Sequence, residues 1–305
     1  MRPLENRFDP NRPEAKRAII PKFIIVSEGY RTEPRYFSAL SDNRAIAGIS
    51  VLIDIIVLQR ESIDAGVSSP NSLLDLLDEY MASVRRGSYT LKLMVDSVAG
   101  TSGLTYSEDI EGFREAVFKE SSLFVDEMGF VKDEYEVVEV CRRCYRKLFN
   151  SDPVIDIPKL VDYRQGIDHI CVVVDRDREN RSSSDIDEFI RRCKKTRYEP
   201  FITNPCFELW LLMHFEEFYR LDRDSLLKNP MINGKRLTEY ELDRIVRGIN
   251  PENRFDKVDY DPLIFMHRTR HAIETSFLLC HDVLRLKSEV GTNIGSLLKD
   301  MQKDG

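Results

Sequence analysis

The chain has 305 residues, a mass of 35.5 kDa and a formal net charge of −7, and 42% of its residues are hydrophobic. This length and apolar fraction suit one large folded domain or two modest ones, whereas the net negative charge argues against a protein that coats nucleic acid unaided. No stretch approaches the roughly 18 to 20 apolar residues that a membrane-spanning helix needs, and the N-terminus lacks the apolar core of a secretory signal. We therefore expect a cytoplasmic protein that has no association with the membrane.

Strands and helices are predicted to alternate in the first part of the chain. Residues 1–19 are polar and are expected to form a loose lead-in. An apolar run predicts a first strand at residues 22–27, and the following helix is expected to begin at Thr32, whose hydroxyl would cap the first turn. A second strand is predicted at residues 50–58, and apolar residues at helical spacing predict a helix at residues 71–85.

The alternation is less regular between about residues 87 and 165 and then resumes. In the irregular stretch, helical or mixed structure is expected at residues 92–103 and 110–125, and a helix at residues 133–150. The elements expected after it are a strand at 169–175, a helix at 185–196, a short strand at 199–203, and helices at 206–216, 237–249 and 262–287. This order predicts an α/β protein whose mostly parallel sheet is flanked by helices, with ligand-binding residues at the carboxyl ends of the strands.

Acidic residues follow two of the apolar strands. Glu28 and Gly29 come directly after the first strand, and Asp175 and Asp177 follow the run Cys-Val-Val-Val. Because strand side chains alternate between faces, Asp175 and Asp177 are expected to project to the same side, and Gly29 is expected to allow a tight turn. Neighbouring carboxylates repel one another unless a divalent cation lies among them, so the pattern indicates a magnesium site. The alternative is that the Asp-Arg-Asp tripeptide only opens a polar loop.

The order of these motifs resembles the TOPRIM domain of topoisomerases, bacterial primases and overcoming-lysogenization-defect nucleases. Three stretches narrow the resemblance to the RloB-like family. Residues 28–37 (EGYRTEPRYF) are similar to its EGxxTExxYF opening, residues 204–215 (NPCFELWLLMHF) to its NPCFExWLLxHF segment, and residues 291–295 (GTNIG) to its STNV-type tail before a short helix. The resemblance covers residues 20–60 and 168–301.

The resemblance implies a TOPRIM-like α/β domain at residues 20–218 with an insertion at about 87–165 that could carry substrate or partner contacts. The helical sequence that follows predicts an extension at 219–305 packed on the core. It assigns the metal carboxylates and catalytic residues to Glu28, Asp175 and Asp177, and it makes Glu33 a candidate ligand of a second ion. The substrate contacts that it implies are Arg31, Asn204, Glu208, His214 and Lys257. From the residues alone, Glu208 would either complement the dipole of its helix or point into the site, and Lys257 would be an ordinary surface lysine.

The resemblance also implies a function. The expected protein is a magnesium-dependent nuclease, with manganese as a substitute ion, that cleaves DNA or RNA, tRNA included, during bacterial anti-phage abortive infection. The partners that the resemblance implies are nucleic acid and an ABC-type or AAA-type ATPase, and homo-oligomerisation is left open. The chain itself contains no GxxxxGK[ST] phosphate loop, so it is not expected to hydrolyse nucleotides by that route. The alternative is a non-catalytic sensor of nucleic acid or nucleotide that uses the same acidic site. A topoisomerase would also need a nucleophilic tyrosine, and we find no persuasive one.

Overall fold

The structure, a computed structural model, describes residues 20–29, 31–58, 69–104, 106–177 and 179–303. The polar lead-in expected at residues 1–19 lies outside the described residues. The strands are β1 (Lys22–Ser27), β2 (Asp54–Leu58), β3 (His169–Asp175), β4 (Glu199–Asn204), β5 (Met231–Ile232), β6 (Lys235–Arg236) and β7 (Gly291–Thr292).

Helices fill most of the chain between these strands. The first six are α1 (Thr32–Asp42), α2 (Arg44–Ala47), α3 (Pro70–Arg86), α4 (Leu91–Thr101), α5 (Ser107–Glu120) and α6 (Glu134–Phe149). The later ones are α7 (Ser183–Thr196), α8 (Glu208–Leu212), α9 (Arg223–Lys228), α10 (Leu237–Ile249), α11 (Leu263–Met266), α12 (Thr269–Ser276) and α13 (Ile294–Lys303). Short 3₁₀ turns lie at Ser122–Phe124 and Glu216–Arg220. Among the described helices, none combines the length and the apolar character needed to cross a membrane.

The central sheet has five strands in the order β2-β1-β3-β4-β7. The first four strands are parallel, and β7 is antiparallel to β4. This mostly parallel sheet flanked by helices confirms the predicted TOPRIM-like α/β architecture. Because parallel strands end at the same edge, Ser27, Asp175 and Asn204 bring the segments that follow them together there.

Both faces of the sheet are covered, as the near-continuous apolar sequence of its strands indicates. In β1, Phe23 and Ile25 belong to the core shared with α1, α8, α10, α12 and α13, whereas Ile24 and Val26 belong to the core shared with α3 and α7. The two sets alternate along the strand because successive side chains point to opposite faces. Residues of the C-terminal helices thus pack in the same core as the first strand.

The stretch between β2 and β3 has a hydrophobic core of its own. Helices α4, α5 and α6 pack together around side chains that include Met94, Phe113 and Cys141. The predicted helix at 133–150 is confirmed, with Asp133 as its N-cap and Asn150 in the left-handed conformation at its C-terminus. This three-helix unit lies within the insertion expected at 87–165.

The prediction of one long helix at residues 262–287 is wrong. Two short helices, α11 and α12, are followed by turns that lead back to β7 at the sheet edge. The hydroxyl of Thr269 donates to the Met266 carbonyl at 3.0 Å and that of Ser276 to the Ile273 carbonyl at 2.7 Å. Such side-chain bonds compete with helix continuation, and pairing of β7 with β4 requires the chain to turn. The helix expected at 206–216 is likewise shorter, because α8 ends at Leu212.

Candidate functional site

Four carboxyl side chains from four separate segments come together at the carboxyl edge of the sheet. They are Glu28 after β1, Glu33 in the first turn of α1, Asp175 at the end of β3 and Glu208 at the start of α8. The three glutamates are buried and Asp175 is partly buried. We call these four side chains the carboxylate cluster.

Gly29 allows the Glu33 carboxyl to pack against the backbone that leaves β1. The Glu28 amide donates to the Val173 carbonyl at 3.0 Å, so pairing with β3 continues one residue beyond the strand. A Cβ on Gly29 would lie 2.0 Å from Glu33 Oε2. The Gly29 backbone is outside the left-handed region, so the glycine is needed for this close approach rather than for the tight turn that the sequence predicts.

The crowding of acids changes their ionisation. Burial raises the pKa of Asp175 well above its usual range, and the neighbouring charges of Glu33, Glu208 and Glu28 raise it further. Burial also raises the pKa of Glu33 to about 7, with added repulsion from Glu208 and Glu28. At neutral pH the cluster therefore holds protons that a bound cation could replace.

Arg181 neutralises one member of the cluster, a role that the sequence does not reveal. Its guanidinium donates to the Glu28 carboxylate and to the Asp175 main-chain carbonyl, and only 9% of its side chain is exposed. The loop that carries Arg181 is held by Arg176, which donates to the Arg181 carbonyl at 2.8 Å. Ser182 then begins α7 with a capping box. That capping sequence is a local signal for the position of Arg181 before a helix, but not for the carboxylate that it meets.

Lys257 neutralises a second member. Its ammonium lies 2.9 Å from Glu208 Oε1, and 46% of its side chain remains exposed. Burial would lower the Lys257 pKa, but the Glu208 charge raises it above its usual range. Of the two alternatives for Glu208, the structure shows the one in which its side chain enters the site.

The loop that carries Lys257 is hydrogen-bonded to the first residue of α1. The Thr32 hydroxyl donates to the Lys257 carbonyl at 3.1 Å, and the Tyr260 hydroxyl donates to the Thr32 carbonyl at 2.8 Å. The predicted capping role of Thr32 is therefore wrong, because Arg31 occupies the N-cap position and the hydroxyl of Thr32 bonds to another loop. Arg31 is exposed and lies immediately before α1.

Asp177 does not continue the strand. β3 ends at Asp175, and Asp177 has a φ of 34°, in the left-handed region. Its amide donates to the Pro205 carbonyl at 3.1 Å, and its Oδ2 accepts a hydrogen bond from Asn180 Nδ2 at 2.8 Å. The expectation that strand alternation would place Asp175 and Asp177 on one side is wrong, because the alternation stops where the strand does.

Asn204 ends β4 beside the cluster and is fully buried. Its side-chain nitrogen donates to the Leu286 carbonyl at 2.7 Å. The peptide bond between Asn204 and Pro205 is cis. Thr203, the preceding residue, is the register partner of Asp175, so Asn204 lies one position beyond it along the neighbouring strand.

His214, expected as a substrate contact, lies in the aromatic core instead. It is 1% exposed and packs against the rings of Tyr36, Trp210 and Phe265. Its Nδ1 is 3.0 Å from the Trp210 carbonyl and its Nε2 is 3.2 Å from the Tyr36 hydroxyl. Burial lowers the His214 pKa to about 3, so the imidazole is neutral, donates from Nδ1 and accepts at Nε2.

The donor atoms of this site suit a hard divalent cation. Asp175 Oδ1, Glu208 Oε2 and Asn204 Oδ1 are buried and have no hydrogen-bond partner among the described residues. Oxygen atoms of this kind are the ligands that magnesium prefers, and it commonly uses one or two carboxylates together with water and substrate phosphate. Within the described ranges, no three Asp, Glu, His or Cys side chains are grouped so that they could hold a metal ion together. The unpartnered oxygens of Asp175, Glu208 and Asn204 fit an ion that is held by one or two carboxylates.

Comparison with known proteins places the chain in a family. A family model described as RloB-like protein matches residues 23–301, from the first strand through the last helix, and the match includes every segment that contributes to the carboxylate cluster. Searches of the curated proteins and of the solved structures gave no match. Since the family model extends over nearly the whole chain, this protein belongs to the RloB-like family.

Proposed function

We propose that this protein is a magnesium-dependent nuclease that hydrolyses phosphodiester bonds of DNA or RNA. The observation that carries the proposal is the carboxylate cluster at the carboxyl edge of a parallel sheet, where such sheets bind their ligands. Four carboxylates against the two cations Arg181 and Lys257 leave a formal excess of two negative charges when all are ionised. One divalent ion would balance that excess.

A bound magnesium or manganese ion would polarise a phosphodiester and favour ionisation of an attacking water. Side chains of the protein would contact the substrate and transfer a proton. Lys257, half exposed beside Glu208, and Arg31, exposed before α1, can contact phosphate groups of the substrate. Glu33, whose pKa is about 7, can give or take a proton at neutral pH close to the reacting group.

Family membership supports a role in defence against phage. The family resemblance described above implies the nuclease half of a defence pair whose other half is an ATPase. This chain has no GxxxxGK[ST] phosphate loop of its own. We therefore propose that the protein acts in abortive infection with a separate ABC-type or AAA-type ATPase. Co-purification of the two tagged subunits, with and without ATP, would test the partnership.

A second candidate function is a non-catalytic sensor that binds nucleic acid or a nucleotide through the same site. The observation that favours it is that Glu28 and Glu208 already have cationic partners, and that no group of three metal-binding side chains occurs among the residues that the structure describes. Such a protein would bind metal and ligand but would release no product.

Cleavage of a mixed substrate panel distinguishes these candidates. A tRNA pool, single-stranded DNA and supercoiled plasmid would be incubated with magnesium or manganese and wild-type protein, Asp175→Asn or Glu274→Gln. Glu274 is the matched control because its carboxylate is exposed on α12 and pairs with Arg270, remote in sequence from the cluster segments. Product is expected from the wild type and the control, with a loss of at least roughly 100-fold in Asp175→Asn. Equal cleavage by Asp175→Asn would refute the assignment, and metal-dependent binding without product would favour the sensor.

A further inference from the structure

Two of the acidic residues that the resemblance assigns to the metal have hydrogen-bonding or ionic partners within the protein. Glu28 is paired with Arg181, whose guanidinium is held in place by the loop before α7. Asp177 lies in a left-handed turn and accepts a hydrogen bond from Asn180. A guanidinium therefore lies on one oxygen of Glu28, and Asp177 belongs to the turn after β3.

Asp175 and Glu208 each carry a buried carboxylate oxygen that has no hydrogen-bond partner among the described residues. Glu208 is 2% exposed, and only its Oε1 meets Lys257, whereas its Oε2 is buried and without a partner among the described residues. Asp175 Oδ1 is likewise buried and has no hydrogen-bond partner among the described residues. Glu208 lies near enough to Asp175 for its charge to act on that carboxyl group. A buried carboxylate oxygen without a partner is costly, and a cation between the two would remove that cost.

The neighbouring amide provides a third oxygen. Asn204 is fully buried, its nitrogen is used by the Leu286 carbonyl, and its Oδ1 has no partner in the described chain. It stands one residue beyond Thr203, which is paired with Asp175 across β3 and β4. An amide oxygen is an acceptable ligand for a hard cation and adds no further negative charge.

We propose, given the metal-dependent function above, that a single divalent ion is held by Asp175 and Glu208 with Asn204 Oδ1 as a further ligand, and that Asp177 is not a ligand. In this arrangement Asp177 shapes the turn after β3, and Arg181 occupies the position of a second cation beside Glu28. A second divalent ion at Glu28 would be repelled by the guanidinium. The site differs in its ligands from the set of Glu28, Asp175 and Asp177 that the resemblance implies.

Manganese binding without nucleic acid tests the assignment directly. Free Mn²⁺ would be counted by electron paramagnetic resonance during titration of the full-length protein, and circular dichroism would report the fold of each variant. The key pair is Glu208→Gln and Asp177→Asn, because each converts one carboxylate to its isosteric amide, with Glu274→Gln as the surface control. We expect one ion per chain, an affinity at least roughly tenfold lower in Glu208→Gln, and a change within about twofold in Asp177→Asn and the control.

A second variant covers the case in which Glu208→Gln does not fold. Lys257→Met removes the cation that shares the Glu208 carboxylate, so Mn²⁺ should bind more tightly, by roughly tenfold. Unchanged or weaker binding in this variant would overturn the role of Glu208.

The remaining outcomes separate this inference from the proposed function. Two ions per wild-type chain, or weakening by Asp177→Asn as large as that by Glu208→Gln, would overturn the inference and leave a metal-dependent nuclease in place. A wild-type protein that binds no Mn²⁺ would overturn both. One ion whose affinity depends on Glu208, in a protein that cleaves no nucleic acid, would retain the inference and reject the nuclease.

Discussion

Acidification should weaken the binding of a divalent ion through protonation of Glu33. Burial raises the pKa of this carboxyl to about 7, with the charges of Glu208 and Glu28 adding to the shift. From this pKa, roughly one tenth of Glu33 is protonated at pH 8 and roughly nine tenths at pH 6. If only the ionised form supports binding, the apparent affinity falls about tenfold between pH 8 and pH 6, which corresponds to about 1.4 kcal/mol. The raised pKa of Asp175 acts in the same direction and can only steepen the dependence.

Isothermal titration calorimetry with Mn²⁺ at pH 6, 7 and 8 would measure this dependence. Repeating the titration in two buffers of different ionisation enthalpy would count the protons released on binding. Glu33→Gln is the matched variant, because glutamine keeps the shape of the side chain and cannot titrate. We expect release of close to half a proton from Glu33 in the wild type at pH 7. In the variant, the change in Mn²⁺ affinity between pH 8 and pH 6 should be about tenfold smaller than in the wild type. The reasoning is refuted if wild-type affinity is the same at pH 6 and pH 8, or if Glu33→Gln retains the full dependence.

Three further changes have expected outcomes. Gly29→Ala would place a Cβ 2.0 Å from Glu33 Oε2 and displace that carboxyl group. Calorimetry should then show roughly tenfold weaker Mn²⁺ binding, with little change in melting temperature. An unchanged Mn²⁺ affinity would show that the position of the Glu33 carboxyl does not depend on Gly29. His214 has a folded-state pKa of about 3, below its unfolded value, so its contribution to stability is complete above about pH 6.5 and about 2 kcal/mol of it is lost by pH 5. Urea unfolding should show that His214→Gln lacks this loss, and an identical pH profile would count against a neutral buried imidazole. Gly291→Ala would bring a Cβ within 2.0 Å of a backbone oxygen at a φ of 154°, so urea denaturation should show a loss of about 3 kcal/mol or more in the free energy of unfolding. Gly112→Ala, on the exposed face of α5, should instead raise the free energy of unfolding by up to about 1 kcal/mol. Equal effects of the two substitutions would contradict this difference.

Elements with a strong local pattern are predictable from the sequence. The bounds of β1, β3 and α10 agree with those expected from apolar runs and helical spacing, and α3 differs by one residue at each end. The sequence signal is clear in these cases because a buried strand is apolar throughout and a helix with one buried face repeats every three to four residues. The prediction of a long helix at 262–287 is wrong because a tertiary contact overrides the local pattern there. Its periodicity is compatible with a helix, but pairing of β7 with β4 requires the chain to turn.

The sequence by itself determined the alternation of strands and helices and the position of Glu28 and Asp175 at the ends of buried strands. Both follow from neighbours in the chain, since hydrophobic runs define strands and strand ends are polar. Tertiary structure alone decided that Asp177 turns away, that Arg181 meets Glu28 across 153 residues of sequence, and that Lys257 meets Glu208. These contacts depend on the order of strands in the sheet and on a loop fastened to α1, and no local pattern of residues encodes which distant segments will become neighbours.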